Sequence, residues 1–196
     1  MEFSTGSVLS RSLSVLFRNL PGFFVIGLIV YIPLFVLGVI LASGDPTEKS
    51  AMTMLIGTTL LAILLSFLVA AAVVYGVFQD LRGQKASIGE CLSVGFSRML
   101  PVLGVALLAG LATVGGLILL VVPGLIILCM LYVAVPVAVV EKPGVTASLS
   151  RSAELTKGFR WSIFAIVLVI GVLNNIVERI LGAAIEASDA ILIVLL

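Results

Sequence analysis

Apolar positions along this chain form long, unbroken runs and do not alternate with polar ones. Uncharged stretches cover residues 19–44, 50–79 and 99–140, and another begins at Trp161. A bilayer core of about 30 Å is crossed by about 20 helical residues. The pattern therefore predicts an all-α integral membrane protein, because a transmembrane barrel would show short segments of alternating polarity.

The uncharged stretches divide into five predicted spans and the beginning of a sixth. The stretch 99–140 is long enough for two, and a turn is predicted at Val122-Pro123-Gly124, where Pro removes a backbone donor and Gly permits a turn. Pro33 and Pro136 lie inside spans and are expected to kink them. The run 190–196 is interpreted as the start of a sixth span whose remainder is absent from this sequence, or else as a short interfacial tail. The spans cover about residues 22–42, 53–78, 100–121, 124–140 and 161–177, with the sixth starting at 190.

Basic residues fall mostly on one side of these spans. When the connecting segments are assigned to alternate sides, nine of the 11 Lys and Arg residues lie on the side of the N-terminus and two on the other. Because cytoplasmic segments carry the excess of Lys and Arg, the sequence predicts a multi-pass protein of a prokaryotic cytoplasmic (inner) membrane with a cytoplasmic N-terminus. The loops 79–99 and 141–160 would also be cytoplasmic, whereas 43–51, the Val-Pro-Gly turn and 178–189 would face outward.

Each cytoplasmic segment has the pattern of an amphipathic helix that leads into an outward-going span. The second opens with Ser87 and Glu90 at the spacing of a capping box, and the tetrapeptide LSRS occurs at both 9–12 and 149–152. We interpret the chain as one transmembrane domain of about six helices in three repeated hairpins, each preceded by such a helix. The alternative is that any interfacial helix before a span shows this pattern. The domain covers residues 1–196, and the interfacial helices cover about 7–20, 87–99 and 145–158.

The stretch from about 118 to 165 resembles a known family. Its pattern is Pro123-Gly124, Pro136, Glu141 and Gly144, followed by Ala147, Arg151, Ser152, Leu155, Lys157, Gly158 and Trp161. It is similar to the bacterial and archaeal family around the glycerophosphoryl diester phosphodiesterase membrane domain and the uncharacterised YciC-type inner-membrane proteins. The resemblance covers about a quarter of the chain and implies a six-helix inner-membrane domain, fused in some members to a soluble phosphodiesterase barrel. This sequence shows no such barrel, so the resemblance implies no enzymatic activity here.

Composition narrows the chemistry further. The chain is 61% hydrophobic and 11% charged, has a net charge of +1 and contains no His, which removes the commonest general base and metal ligand. Cys91 and Cys129 belong to no CxxC or Cys/His motif, and the sequence shows no zinc motif or phosphate loop. We therefore predict no catalytic residue, no cofactor, no metal site and no nucleic-acid partner.

Basic cytoplasmic residues are the candidate contacts for anionic lipid headgroups or a partner protein. Arg151, with Glu141 and Glu154 nearby, forms either a lipid-phosphate or partner site or an ion network that fixes the loop. For the other arginines, snorkelling to headgroups is a sufficient explanation. The full candidate set is Arg11, Arg18, Arg98, Arg151, Lys157 and Arg160.

A second candidate cluster lies at the outer end of the fifth span. It consists of Asn174, Glu178 and Arg179. Ionisable groups at membrane depth are functional candidates, but near the outer interface their charge is readily hydrated. Both interpretations of this cluster stay open at this point.

These features favour a non-enzymatic inner-membrane protein with a structural or accessory role, acting through helix packing and its interfacial helices. Its candidate partners are membrane lipids with anionic headgroups on the cytoplasmic side and other membrane-protein subunits. A lipid- or small-solute-handling protein is the first alternative, and a phospholipid-related membrane enzyme is the second. The predicted span centres carry no charge, which disfavours an ion-coupled transporter.

Overall fold

The computed structural model describes residues 5–43 and 48–195. Within them every regular element is an α-helix, which confirms the all-α class. The helices are α1 (Thr5–Ala42), α2 (Glu48–Leu81), α3 (Ile88–Leu119), α4 (Val121–Leu131), α5 (Ala134–Val140), α6 (Val145–Leu155) and α7 (Arg160–Leu195).

Five segments of the described chain are long and apolar enough to cross a membrane, so the chain has the character of a multi-pass membrane protein. The α4 and α5 helices together supply one of the five. The segments are Ser12–Leu41, Met52–Leu81, Ile88–Leu119, Val121–Val140 and Arg160–Ala183.

Two predicted boundaries are absent because α1 and α3 are continuous. The sequence predicts interfacial helices over 7–20 and 87–99 that end before Pro21 and Pro101, whereas the structure has a 38-residue and a 32-residue helix that pass through these prolines. A Pro removes one backbone hydrogen bond and bends a helix without necessarily ending it. The two predicted interfacial helices are therefore the first turns of α1 and α3. The start of α3 has the expected capping box, with Ser87 Oγ accepting from the Glu90 N–H and Glu90 Oε2 accepting from the Ser87 N–H.

The α3–α4 connection is a single residue, Leu120, in an extended conformation (φ −164°, ψ 146°). The turn thus precedes the predicted one, and Pro123 and Gly124 lie in the first turn of α4, where a missing N–H leaves no helical bond unmade. The tight turn presses the two helices together. A Cβ on Gly124 would lie 2.5 Å from the Leu117 side chain, so only Gly fits there.

The predicted fourth span is broken at Tyr132-Val133, between α4 and α5. Pro136 explains the position of the break, because its ring has no N–H for the Tyr132 carbonyl and collides with it in a regular helix. The kink expected at Pro136 is therefore present as a full interruption. Pro33, in contrast, lies inside the continuous helix α1.

The C-terminal part of the described chain is one 36-residue helix, α7. The segment 178–189 is therefore helical and continuous with the fifth span, and the apolar run from residue 190 does not begin a separate helix within the described chain. Charged residues such as Glu178 and Arg179 are good helix formers and do not end a helix by themselves. At about 1.5 Å per residue, α7 is about 54 Å long, well above the bilayer core of about 30 Å.

Small residues at the α2–α3 contact form the centre of the protein. Ala71 and Ala72 of α2 are fully buried, and a Cβ on Gly95 of α3 would lie 2.8 Å from the Leu68 carbonyl oxygen. The core then continues from α3 to α5, where Val105 packs against Ala134 and its neighbours. In α7 none of the residues in the most apolar part of the span is buried, so this helix lies at the periphery.

Candidate functional site

We define the basic end of the protein as the end that holds the N-terminal turns of α1, the α2–α3 loop and the α5–α6 connection. An ion pair joins two of these parts, with Arg18 Nη2 of α1 donating to Asp80 Oδ2 of α2 at 2.5 Å. The Asp80 side chain is only 14% exposed, whereas that of Arg18 is 61% exposed. The sequence analysis selected Arg18 but not Asp80, although an acidic residue at the end of an apolar span signals a need for a cationic partner.

A cavity of about 490 Å³ lies beside this ion pair, between α1, the end of α2 and the start of α3. Its volume lies within the range of about 300–1,000 Å³ that is typical of small-molecule sites. The lining is divided into two parts. The rim is polar and includes Arg18, Asn19, Asp80, Gln84 and Lys85, and the floor includes Phe23, Ile26, Gly76 and Cys91.

Gly76 makes room for the apolar floor of this basic-end cavity. A Cβ at that position would lie 3.2 Å from the Phe23 ring and 3.3 Å from Cys91 Sγ. The loop that supplies Gln84 and Lys85 contains Gly83, whose φ of 75° is in the left-handed region that favours Gly. Two glycines therefore shape the cavity, Gly76 at its apolar floor and Gly83 at its polar rim.

Arg151 forms the ion network that the sequence analysis offered as one alternative. Its Nε donates to Glu141 Oε2 at 3.1 Å, and its Nη1 donates to Glu154 Oε2 at 3.4 Å. The hydrogen bond that Arg151 donates to Glu141 raises the pKa of Arg151 above its ordinary value. The two carboxylates balance the charge of the guanidinium, so a lipid phosphate would have to compete with them for Arg151.

The buried face of α6 is polar, and the sequence analysis missed it. The apolar residues Val145 and Leu149 are only partly buried against the core, whereas Ser148, Ser152 and Thr156 have almost no exposure. Their spacing of four residues places them on one helical face, and this spacing was the available signal.

The hydroxyls of Ser152 and Thr156 satisfy the backbone at the α4–α5 break. Since α4 ends at Leu131, the carbonyls of its last turn lose the donors that a continuing helix would provide. The Met130 carbonyl accepts instead from Ser152 Oγ at 2.7 Å and from Thr156 Oγ1 at 3.3 Å. The LSRS segment therefore acts on the backbone of α4 through its second serine.

Arg160 lines an apolar cavity of about 330 Å³ between α4 and α7, together with Cys129 and Trp161. Its Nε atom is buried and has no hydrogen-bond acceptor within the part of the chain that the structure describes. The sequence analysis assigned Arg160 to the headgroup layer with the other arginines. The structure shows a guanidinium that is partly enclosed by apolar side chains.

The remaining candidates do not converge on one site. Asn174 Nδ2 donates to Glu178 Oε1 at 3.3 Å, and Arg179 Nε donates to Asn175 Oδ1 at 3.0 Å. These residues therefore form two exposed pairs along α7. Arg98 and Lys157 line none of the cavities described here. The side chain of Arg11 lies outside the described residues.

Comparison with protein-family profiles, curated proteins and solved structures finds no significant match to this chain. The resemblance to the phosphodiesterase-associated membrane family therefore stays a prediction. Function has to be argued from the two cavities and the charges that line them.

Proposed function

We propose that this chain is a non-enzymatic inner-membrane protein that holds a phospholipid headgroup in its basic-end cavity, as an accessory component of the bilayer. The observation that carries the proposal is the division of that cavity into an apolar floor and a charged rim. A phospholipid has the same division between its glycerol-acyl region and its headgroup. Arg18 and Lys85 supply two positive charges and Asp80 one negative charge, so the rim keeps one net positive charge for a phosphate.

The proposed location is a prokaryotic inner membrane, with the basic end on the cytoplasmic side. This is supported by the nine of 11 basic residues that the sequence places on that side, and by the anionic lipid of the cytoplasmic leaflet. The non-enzymatic part of the proposal rests on the lack of any His and of recognisable catalytic motifs in the sequence.

Lys85→Gln tests the headgroup site, because Lys85 is exposed and its loss leaves the Arg18–Asp80 pair intact. Lys157→Gln is the matched control, since it removes an exposed positive charge that the sequence assigns to the same side of the membrane but that lies outside the cavity. The full chain is extracted in mild detergent from vesicles of phosphatidylglycerol and phosphatidylcholine, and retained lipid is measured by native mass spectrometry. We expect Lys85→Gln, and not Lys157→Gln, to lower the retained phosphatidylglycerol. Equal losses in both variants would reduce the effect to general surface charge and contradict the proposal.

A contact with another membrane-protein subunit is the second candidate function. It is favoured by α7, because none of the residues in the most apolar part of this helix is buried within the protein. Stoichiometric co-purification of a second membrane protein in mild detergent would support this role. Recovery of the chain alone under the same conditions would argue against it.

A further inference from the structure

An apolar groove runs along the face of α7 that is turned towards α4. The cavity that holds Arg160 shares Leu125 and Phe164 with a second cavity of about 460 Å³, which extends along α7 to Ile176. The two cavities therefore form one continuous groove, which we call the α4–α7 groove. From Arg160 to Ile176 it is about 24 Å long at about 1.5 Å per residue, which exceeds the hydrocarbon depth of one leaflet, about half of 30 Å.

The lining of the groove has one charged group, and that group is at one end. Arg160 contributes the guanidinium, and no acidic side chain lines either cavity. Its buried Nε is without an acceptor in the described residues. A buried guanidinium N–H without an acceptor is unfavourable, and an anion that enters the groove would remove that cost.

We propose that the α4–α7 groove holds one acyl chain of an anionic phospholipid, whose phosphate accepts a hydrogen bond from Arg160 Nε. The acyl chain matches the apolar lining and the length of the groove, and lipid is the solvent of any outward face of a membrane-spanning helix. The negative headgroup is required because the positive charge of Arg160 has no counter-ion in the groove. This site shares no lining residue with the basic-end cavity, so the proposal for the groove can be tested independently of the headgroup proposal.

Trp161 provides a direct reporter of occupancy. It is the single Trp of the chain, lines the groove beside Arg160 and is 85% exposed. The full chain is reconstituted in phosphatidylcholine vesicles, and Trp161 fluorescence is measured as brominated phosphatidylglycerol or brominated phosphatidylcholine is added. We expect brominated phosphatidylglycerol to quench at lower mole fraction than brominated phosphatidylcholine.

Two pairs of variants test the two ends of the site. Arg160→Gln should reduce the relative affinity for phosphatidylglycerol by about tenfold, the factor expected for one charge-assisted hydrogen bond, whereas Arg98→Gln should preserve it. Gly171→Leu places a side chain into open space inside the groove and should weaken quenching by brominated phosphatidylglycerol. Gly182→Leu adds the same side chain to open space on α7 outside the groove and should leave quenching unchanged.

Three results would overturn the proposal. Equal quenching by the two brominated lipids in the unmodified protein would remove the headgroup preference. Equal losses in Arg160→Gln and Arg98→Gln would attribute that preference to the basic end as a whole. Equal quenching in Gly171→Leu and Gly182→Leu would show that no chain, or a partner protein, occupies the groove. If Arg160→Gln fails to fold, Arg160→Lys keeps the charge without the Nε donor and should lose part of the preference.

Discussion

The hydroxyl of Ser152 gives the sharpest test of how α6 supports the broken helix. Ser152 is fully buried, and its Oγ is the nearer of two hydroxyls that donate to the Met130 carbonyl. Ser152→Ala removes that donor and changes little else. Thr156 would then be the remaining hydroxyl donor, at 3.3 Å, while also donating to the carbonyl of residue 152 at 2.9 Å.

The expected loss of stability lies between two known magnitudes. Hydrogen bonds between membrane helices contribute about 0.6 kcal/mol on average, because the separated helices find other partners. A buried polar group left without a partner costs about 1–3 kcal/mol. The Met130 carbonyl lies between these cases, because the break removes its helical donor but the longer hydrogen bond from Thr156 Oγ1 remains. We therefore expect Ser152→Ala to lower the free energy of unfolding by about 1–2 kcal/mol.

The matched control is Ser150→Ala, an exposed serine in the same LSRS segment. Unfolding is followed by Trp161 fluorescence as dodecyl sulfate is titrated into mixed micelles. In a Pro136→Ala background the helix can continue across residues 132–133 and give Met130 a backbone donor. In that background Ser152→Ala should lower the free energy of unfolding by less than it does with Pro136 present. If Ser152→Ala matches Ser150→Ala within the roughly 0.5 kcal/mol typical of surface changes, or if its cost is unchanged in the Pro136→Ala background, the account of the break is refuted.

Two further predictions concern packing and orientation. In the same titration, Gly95→Ala should lower the free energy of unfolding by about 1–3 kcal/mol, because the added Cβ lies 2.8 Å from the Leu68 carbonyl oxygen. The control Gly110→Ala adds a Cβ in open space and should be neutral or stabilising by up to about 1 kcal/mol. Equal effects of the two variants would contradict the α2–α3 packing. In spheroplasts, a Cys at position 84 should be protected from a membrane-impermeant thiol reagent and a Cys at position 120 should react, and the reverse pattern would invert the proposed orientation.

Membrane character and the presence of five long apolar helical segments could be predicted because both depend on the composition of long stretches. Individual boundaries could not, and the prolines show the reason. Pro21 and Pro101 lie within continuous helices, whereas Pro136 accompanies a break. Hydroxyl donors from α6 lie beside the break at Pro136, and a contact between residues 130 and 152 is not visible in local sequence.

The candidate site was only partly predictable for a similar reason. Basic residues mark one end of the protein, so Arg18 was found from sequence. Its partner Asp80 comes from another helix 62 residues away, and the apolar enclosure of Arg160 depends on how α7 packs on α4. Counting Lys and Arg residues in the sequence identifies the end of the protein where basic residues gather. It does not reveal which of their side chains are enclosed by apolar residues.

The uncharged α3–α4 hairpin has a consequence for how the chain enters the membrane. Its tip, around Leu120, is apolar and exposed, and the sequence from 99 to 140 has no formal charge. Moving a charged residue to the bilayer centre costs about 2.5–3.5 kcal/mol on insertion scales. In the proposed orientation the α1–α2 hairpin would carry Asp45, Glu48 and Lys49 across, whereas the α3–α4 hairpin would carry no charged residue. Translocation of its tip is therefore an electrically silent step, insensitive to the membrane potential that acts on its neighbour.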